Sequence, residues 1–212
     1  MNDNELYTAP IDTAEWNSYS DLEYLRHAFD DSDDHGDAYK LCLRYASRIP
    51  EMLATHIGIR LHGEVGTGKT FYASAIASYA YRLGFPIRWI DCKTFLSEMT
   101  DFKTRNDEYI RNVLDARILV IDDFDTAKLN SLELSCLFRL TNAREGKLTI
   151  VTTNMTPTAI SGTSSADMDE KRALSRLQAL CPVAVVLTGR DRRKDVATQK
   201  RRLAEQIMKG AE

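Results

Sequence analysis

No run of 18 apolar residues occurs in the 212-residue chain, so no segment is long and apolar enough for a transmembrane helix. A CxxC pair or a Cys/His cluster is also missing. The four cysteines, Cys42, Cys92, Cys136 and Cys181, stand far apart, which argues against a zinc centre. The opening stretch, MNDNELYTAPIDTAEW, lacks both a basic start and an apolar block, so a secretory signal is not expected. A cytoplasmic location is the expectation, with reduced thiols acting as small buried hydrophobes. There is no internal repeat and no low-complexity tract. What is present is ordinary for a folded protein, with 43% hydrophobic and 28% charged residues. Global disorder is thereby excluded, and the length suits one substantial domain with at most a short appendage.

The net charge of −3 hides an asymmetry. Residues 1–39 hold eleven acids and one base, Arg26, which makes that stretch about −10 and the remainder about +7. An acidic, solvated lead-in before a mildly basic body accounts for this. So does a body that meets nucleic acid and a tail that meets something else. The expected division is an acidic, partly flexible segment over residues 1–36, with one short helix around Asp21–Phe29, followed by a main domain over 37–212.

Within the main domain, Leu41, Tyr45, Ile49, Met52 and Leu53 recur at helical spacing, with Pro50 expected to kink or split the helix. Strands and helices then alternate. Strands are expected at 57–62, 86–90, 117–124, 148–153 and 183–187. Helices are expected at 69–82, at 93–114 in two pieces broken near Thr100–Lys103, at 168–180, and from Asp191 onward. Arg117–Phe124 reads as an apolar strand buried on both faces. Asn130 and Glu133 form a capping-box pattern for a helix whose buried stripe is expected at Leu129, Leu132, Cys136, Leu137 and Leu140. The stretch 157–167, small and polar, reads as a mobile loop. Five strands separated by helices imply an α/β fold, a five-stranded parallel sheet flanked by helices.

The strongest chemical signal is Gly63-Glu64-Val65-Gly66-Thr67-Gly68-Lys69-Thr70. It satisfies GxxxxGK[ST] in full, between an expected strand and an expected helix. Glycines let the backbone wrap phosphates without a Cβ clash. Successive N–H groups and the helix N-terminus then offer partial positive charge to an anion. Lys69 is expected to reach the β- and γ-phosphates of ATP, and Thr70 to place its hydroxyl on Mg²⁺. Ile118–Asp123 is an apolar strand ending in two carboxylates. Asp122 is expected to hold the metal and Asp123 to orient or deprotonate the attacking water. Asn154 follows the fourth strand, where it can hydrogen-bond that water or the γ-phosphate. Arg176 can serve either as a surface salt-bridge partner or as a finger reaching a neighbouring subunit's nucleotide. Gly189-Arg190-Asp191-Arg192-Arg193 follows the fifth strand; Arg192 or Arg193 could touch bound nucleotide in cis, or the run is simply a basic helix start, a poor match to the helix dipole.

With these pieces in order, the chain resembles the AAA+ ATPases of the DnaC/DnaI helicase-loader and IstB-like group, over about residues 37–195. The supporting segments are HGEVGTGKT (62–70), RILVIDDFD (117–125), LTIVTTNM (148–155), LSRLQAL (174–180) and VVLTGRDRR (185–193). The resemblance implies a Walker A motif at 63–70, a Walker B motif at 118–123, sensor 1 at Asn154, an arginine finger at Arg176 and sensor 2 at Arg193. It implies ATP/ADP and Mg²⁺ as ligands, and a homo-oligomer with ATP between subunits. It also implies single-stranded DNA and a replicative hexameric helicase as partners, or a transposase on duplex DNA in the IstB-like alternative. Loaders of this group usually carry a larger N-terminal helicase-binding domain, so that domain is expected to be absent here or the chain to be a fragment. The stretch after Arg193 has room for a single helix rather than a full lid. Residues 93–114 lie where the group places DNA-contacting helices. There Phe102, Lys103, Arg105, Tyr109 and Arg111 mix aromatics with bases, which either stacking and phosphate contacts or ordinary helix surface and core would explain. Two readings outside the group stay open: a small-molecule kinase, disfavoured because residues 157–167 hold no Arg, and a nucleotide-gated adaptor that binds ATP without turnover.

Overall fold

Alternation decides which side of the sheet each strand residue serves. The computed structural model describes residues 24–161, 167–189, 191 and 193–209, without the side chains of 193–197, 199, 203 and 209. Five strands form one parallel sheet: β1 (Ile59–Gly63), β2 (Ile87–Asp91), β3 (Ile118–Asp122), β4 (Leu148–Thr153) and β5 (Val183–Leu187), in the spatial order β2-β3-β4-β1-β5. In β3, Ile118 and Val120 enter one core while Leu119 and Ile121 enter the other. A strand that is apolar at every position therefore needs helices on both faces.

One face is covered by α1 (Asp37–Ala46), α2 (Ile49–Thr55) and α3 (Lys69–Arg82), whose Tyr45, Ile49, Tyr72 and Ile76 are buried in the first core. Pro50 lies in the first turn of α2, so the helix expected over 37–55 is split there rather than bent. The other face is covered by α4 (Cys92–Thr100), α5 (Asp107–Asp115), α6 (Ser131–Ala143) and α8 (Met168–Leu180), with the short α7 (Pro157–Ser161) leading into α8. A last helix, α9 (Arg193–Lys209), follows β5.

Several expectations are corrected. Of the short helix expected around Asp21–Phe29, residues 21–23 lie outside the described residues, Tyr24 is in 3₁₀ conformation and 25–28 are not helical; they lead to a 3₁₀ turn at Phe29–Asp31. Leu25 and Phe29 are buried in the first core and Tyr24 stacks on Trp89, so the packed body begins well before residue 37. On α6 the buried positions are Leu134, Leu137, Leu140 and Thr141, while Leu132 is exposed. Leu137 and Leu140 are buried as expected and Leu129 and Cys136 pack against the second core; only Leu132 is misassigned, Leu134 being buried instead. Residues 157–161 form α7, anchored by buried Ile160, rather than a loop; residues 162–166 lie outside the described residues.

Arg144, at the end of α6, is fully buried. Its guanidinium donates to the carbonyls of Leu114 (3.2 Å), Ala116 (2.5 Å) and Leu148 (2.9 Å) and to the Thr149 hydroxyl (3.2 Å). Burial lowers its pKa to about 10, so it remains charged at neutral pH. This one side chain ties the segment entering β3 to the start of β4, the two strands that carry Asp122 and Asn154.

Candidate nucleotide-binding site

The carboxyl ends of β1, β3 and β4 lie side by side, the edge at which parallel α/β sheets bind ligands. β1 stops at Gly63 and α3 starts at Lys69, so residues 64–68 must turn sharply between them. Two glycines show why no larger residue fits. A Cβ on Gly63 would lie 2.5 Å from the Leu187 carbonyl and 2.6 Å from Thr67 Oγ1. Gly66 has φ +81°, and a Cβ there would sit 1.8 Å from Asp191 Oδ1. The loop is held in shape by Thr67, whose hydroxyl donates to the Glu64 carbonyl at 2.8 Å. Val65, at the loop's tip, is exposed.

Lys69 is buried, and its ammonium donates to the carbonyls of Gly63 (3.0 Å) and Glu64 (2.8 Å) and to Asn154 Oδ1 (2.8 Å). A buried cation is costly unless it is hydrogen-bonded, and these oxygens supply that compensation. Two residues 85 positions apart in sequence thus meet, the loop lysine and the Asn that follows β4.

Thr70 donates its hydroxyl to Asp122 Oδ1 at 3.2 Å, and Thr152 donates to the same oxygen at 2.5 Å. Burial raises the Asp122 pKa above the ordinary carboxylate value; the Thr152 bond opposes this and the neighbouring Asp123 charge adds to it. Asp123 takes the left-handed conformation, φ +52°, and its N–H donates to Thr152 Oγ1 at 2.9 Å. The chain turns sharply enough there to send Asp122 inward and Asp123 to the exposed side. Thr152, buried on β4 beside the end of β3, holds the Asp122 carboxylate and the Asp123 backbone, a role its place in a strand does not reveal.

Arg176 is not at this chain's own phosphate loop. It lies on α8 and pairs with Glu145 at 3.1 Å, just before β4 begins, so most of the length of that strand, about 20 Å, lies between it and Asn154. Arg190, Arg192 and the side chain of Arg193 lie outside the described residues. Of the residues read as mixed aromatics and bases, Phe102, Lys103 and Arg105 lie in the turn between α4 and α5, and Tyr109 and Arg111 on α5. Phe102 is 70% exposed, with the Arg105 guanidinium 5.5 Å above its ring, and Arg105 also pairs with Asp107 at 2.8 Å. Phe102 is therefore not a core residue.

The profile of the family described as IstB-like ATP binding protein matches residues 50–194. The chain belongs to this IstB-like ATP-binding family. Among curated proteins no sequence matches it. Its fold is similar to that of DnaI (22% identity over 80% of this chain and 92% of that one, TM-score 0.65). It is also similar to the DnaC helicase loader (19% identity, 78% and 99% covered, TM-score 0.64). A third likeness is to the replication initiator DnaA bound to AMPPCP and single-stranded DNA (19% identity, 77% and 50% covered, TM-score 0.60). The IstB-like chain thus has the AAA+ P-loop NTPase fold, with the glycine-built turn lying between β1 and α3.

The donor set of this IstB-like protein fits a magnesium nucleotide. Among the described residues no three His, Cys, Asp or Glu side chains gather to hold a metal on their own. A hydroxyl at Thr70 beside a single carboxylate at Asp122 suits Mg²⁺, which takes few protein ligands and completes its shell with water and phosphate oxygens. Among the described residues no helix is long and apolar enough to cross a membrane.

Proposed function

We propose that this protein is an ATPase that loads a replicative helicase, acting as an oligomer on single-stranded DNA. One observation carries the catalytic part. Lys69 with Asn154, and Thr70 with Asp122 and Thr152, form two hydrogen-bonded groups drawn from three separate segments, set side by side at a glycine-built turn by the adjacent Lys69 and Thr70. The fold shared with DnaI and DnaC supports the loader reading.

The loop N–H groups from Glu64 to Thr70 and the N-terminus of α3 bind the phosphates. Lys69 exchanges its carbonyl partners for phosphate oxygens, a stronger charge-assisted set. Thr70 and Asp122 hold Mg²⁺, which when bound neutralises charge developing on the phosphates. Asp123 accepts a proton from the attacking water, and Asn154, released by Lys69, orients that water or the γ-phosphate. Arg176 acts from a neighbouring copy, consistent with its distance from this chain's own loop. Arg193 contacts the nucleotide from the start of α9. Phe102 and Arg105 present an exposed stacking surface with a cation, suited to single-stranded DNA. Residues 1–36, the acidic segment, grip the helicase.

Phosphate release measured with single- and double-stranded DNA tests this. Stimulation by single strands, abolished by Arg176→Ala with nucleotide affinity unchanged, is the expected result. Stimulation by duplex alone would refute the loader reading and favour a transposase-assisting ATPase.

A further inference from the structure

His62 sits immediately before the first glycine of the phosphate loop and is 1% exposed. Its Nδ1 lies 2.8 Å from the carbonyl oxygen of Met155, the residue after Asn154. A carbonyl can only accept, so Nδ1 carries the proton and donates. That fixes the tautomer and leaves Nε2 with a lone pair. Nε2 is buried and has no hydrogen-bond partner in the structure. A buried, unmet acceptor costs free energy and calls for an explanation.

Its surroundings supply one. The ring borders a cavity of about 330 Å³ at the carboxyl ends of β4, β1 and β5, lined also by Glu64, Thr67, Asn154, Thr156 and Thr188. The carbonyl of Glu64 and Asn154 Oδ1 are both held by the Lys69 ammonium. Only the oxygen of the Asn154 amide is engaged by Lys69. Once phosphate draws Lys69 away, that amide must be oriented by something else.

We propose that His62 is a positioning residue for Asn154. Through Nδ1 it ties the end of β1 to the turn that carries the Asn. Through Nε2 it offers an acceptor for the Asn154 NH₂, directly or through one water in the cavity. An acceptor on that side selects one of the two ways an Asn amide can face, and the amide oxygen or nitrogen presented to the γ-phosphate lobe depends on that choice. Burial, opposed by the Met155 bond and aided by Arg60, keeps the imidazole pKa below its ordinary value, so the acceptor persists at neutral pH. The inference rests on the ATPase reading above, but its first test does not need turnover.

Selectively ¹⁵N-labelled histidine reports the four imidazoles, His62 being identified by its loss in His62→Gln. The expected spectrum shows Nδ1 protonated and Nε2 unprotonated, with the Nε2 resonance moving upfield when Mg²⁺ and AMPPCP are added, as an acceptor does on gaining a donor. An Nε2-protonated ring, or an Nε2 resonance unmoved in a sample where nucleotide binding is verified by fluorescence, overturns the proposal. Kinetics gives the second test. His62→Asn places a donor near Nδ1 and His62→Gln a polar group near Nε2, while His62→Phe keeps the ring volume and neither bond. The Phe variant is expected to keep nucleotide affinity within about threefold while its kcat falls roughly tenfold, with partial recovery in the Asn and Gln variants. Equal kcat in the Phe variant and the parent overturns the proposal. Loss of nucleotide binding in the unaltered protein would instead sink the ATPase reading.

Discussion

At the scale of single residues, the site is a store of poised hydrogen bonds waiting for a polyanion. Lys69 is the clearest case, because the oxygens it holds are the ones it must leave. Lys69→Ala is expected to weaken ATP binding at least tenfold, since one charge-assisted bond contributes about 1.5–3 kcal/mol. Fluorescent-nucleotide titration measures it, and an unchanged Kd would disprove the role. Asp123→Asn should leave affinity unchanged and lower hydrolysis about 10²-fold or more, the usual scale for losing a general base. Asn also tolerates the left-handed backbone at this position, so folding should survive. Asp122 carries a pH signature. Burial raises its folded-state pKa above the ordinary carboxylate value, so the native state holds the proton more tightly than the unfolded chain does. In the absence of metal, its contribution to stability therefore falls as pH rises from the ordinary carboxylate range through the raised value. Mg²⁺ needs the carboxylate and competes with that proton, so Mg²⁺-dependent nucleotide binding should weaken as pH falls through the same window. Asp122→Asn should remove that dependence along with most of the metal affinity; a parent protein whose Mg²⁺ requirement is flat across this range would contradict the assignment.

At the scale of elements, what was readable and what was not divides along local and non-local physics. The loop glycines, the Asn130–Glu133 cap and the split at Pro50 are local, and the structure has each where the pattern puts it. The two-faced burial of β3 also follows from its unbroken apolar run. Arg144 and Thr152 could not be found that way. Each acts on segments distant in sequence, and an Arg beside a helix end or a Thr in a strand looks ordinary until the neighbours are known. On α6 the spacing finds Leu137 and Leu140 but takes exposed Leu132 for buried Leu134, because with Leu129, Leu132, Leu134, Leu137 and Leu140 in one stretch leucine is too frequent for spacing alone to exclude one. Arg144→Met is expected to leave several buried carbonyls without donors and to cost about 3 kcal/mol or more, seen as a Tm lower by roughly 6–12 °C. Asn130→Ala, which removes only the cap of α6, should cost about 1 kcal/mol. Equal losses for the two would mean that Arg144 is not the tie between β3 and β4 described above.

At the scale of the whole molecule, the phosphate loop and Arg176 belong to different surfaces, so the proposed finger role requires a second copy to join them. The loader reading therefore expects hydrolysis that rises more steeply than protein concentration, and Arg176→Ala should lose about 10³-fold in that regime while monomer binding persists. The acidic stretch also has to be divided differently from its composition. Leu25 and Phe29 belong to the core, so removing residues 1–36 would damage the fold, and the helicase-gripping role is better tested with Δ1–23. All of this depends on the turn between β1 and α3 holding a triphosphate. Calorimetric titration of the full chain with ATP and Mg²⁺, beside Lys69→Ala, addresses it most directly. The account predicts saturable one-to-one binding in the parent, weakened at least tenfold in the variant; parent and variant binding alike, or neither binding at all, would contradict it.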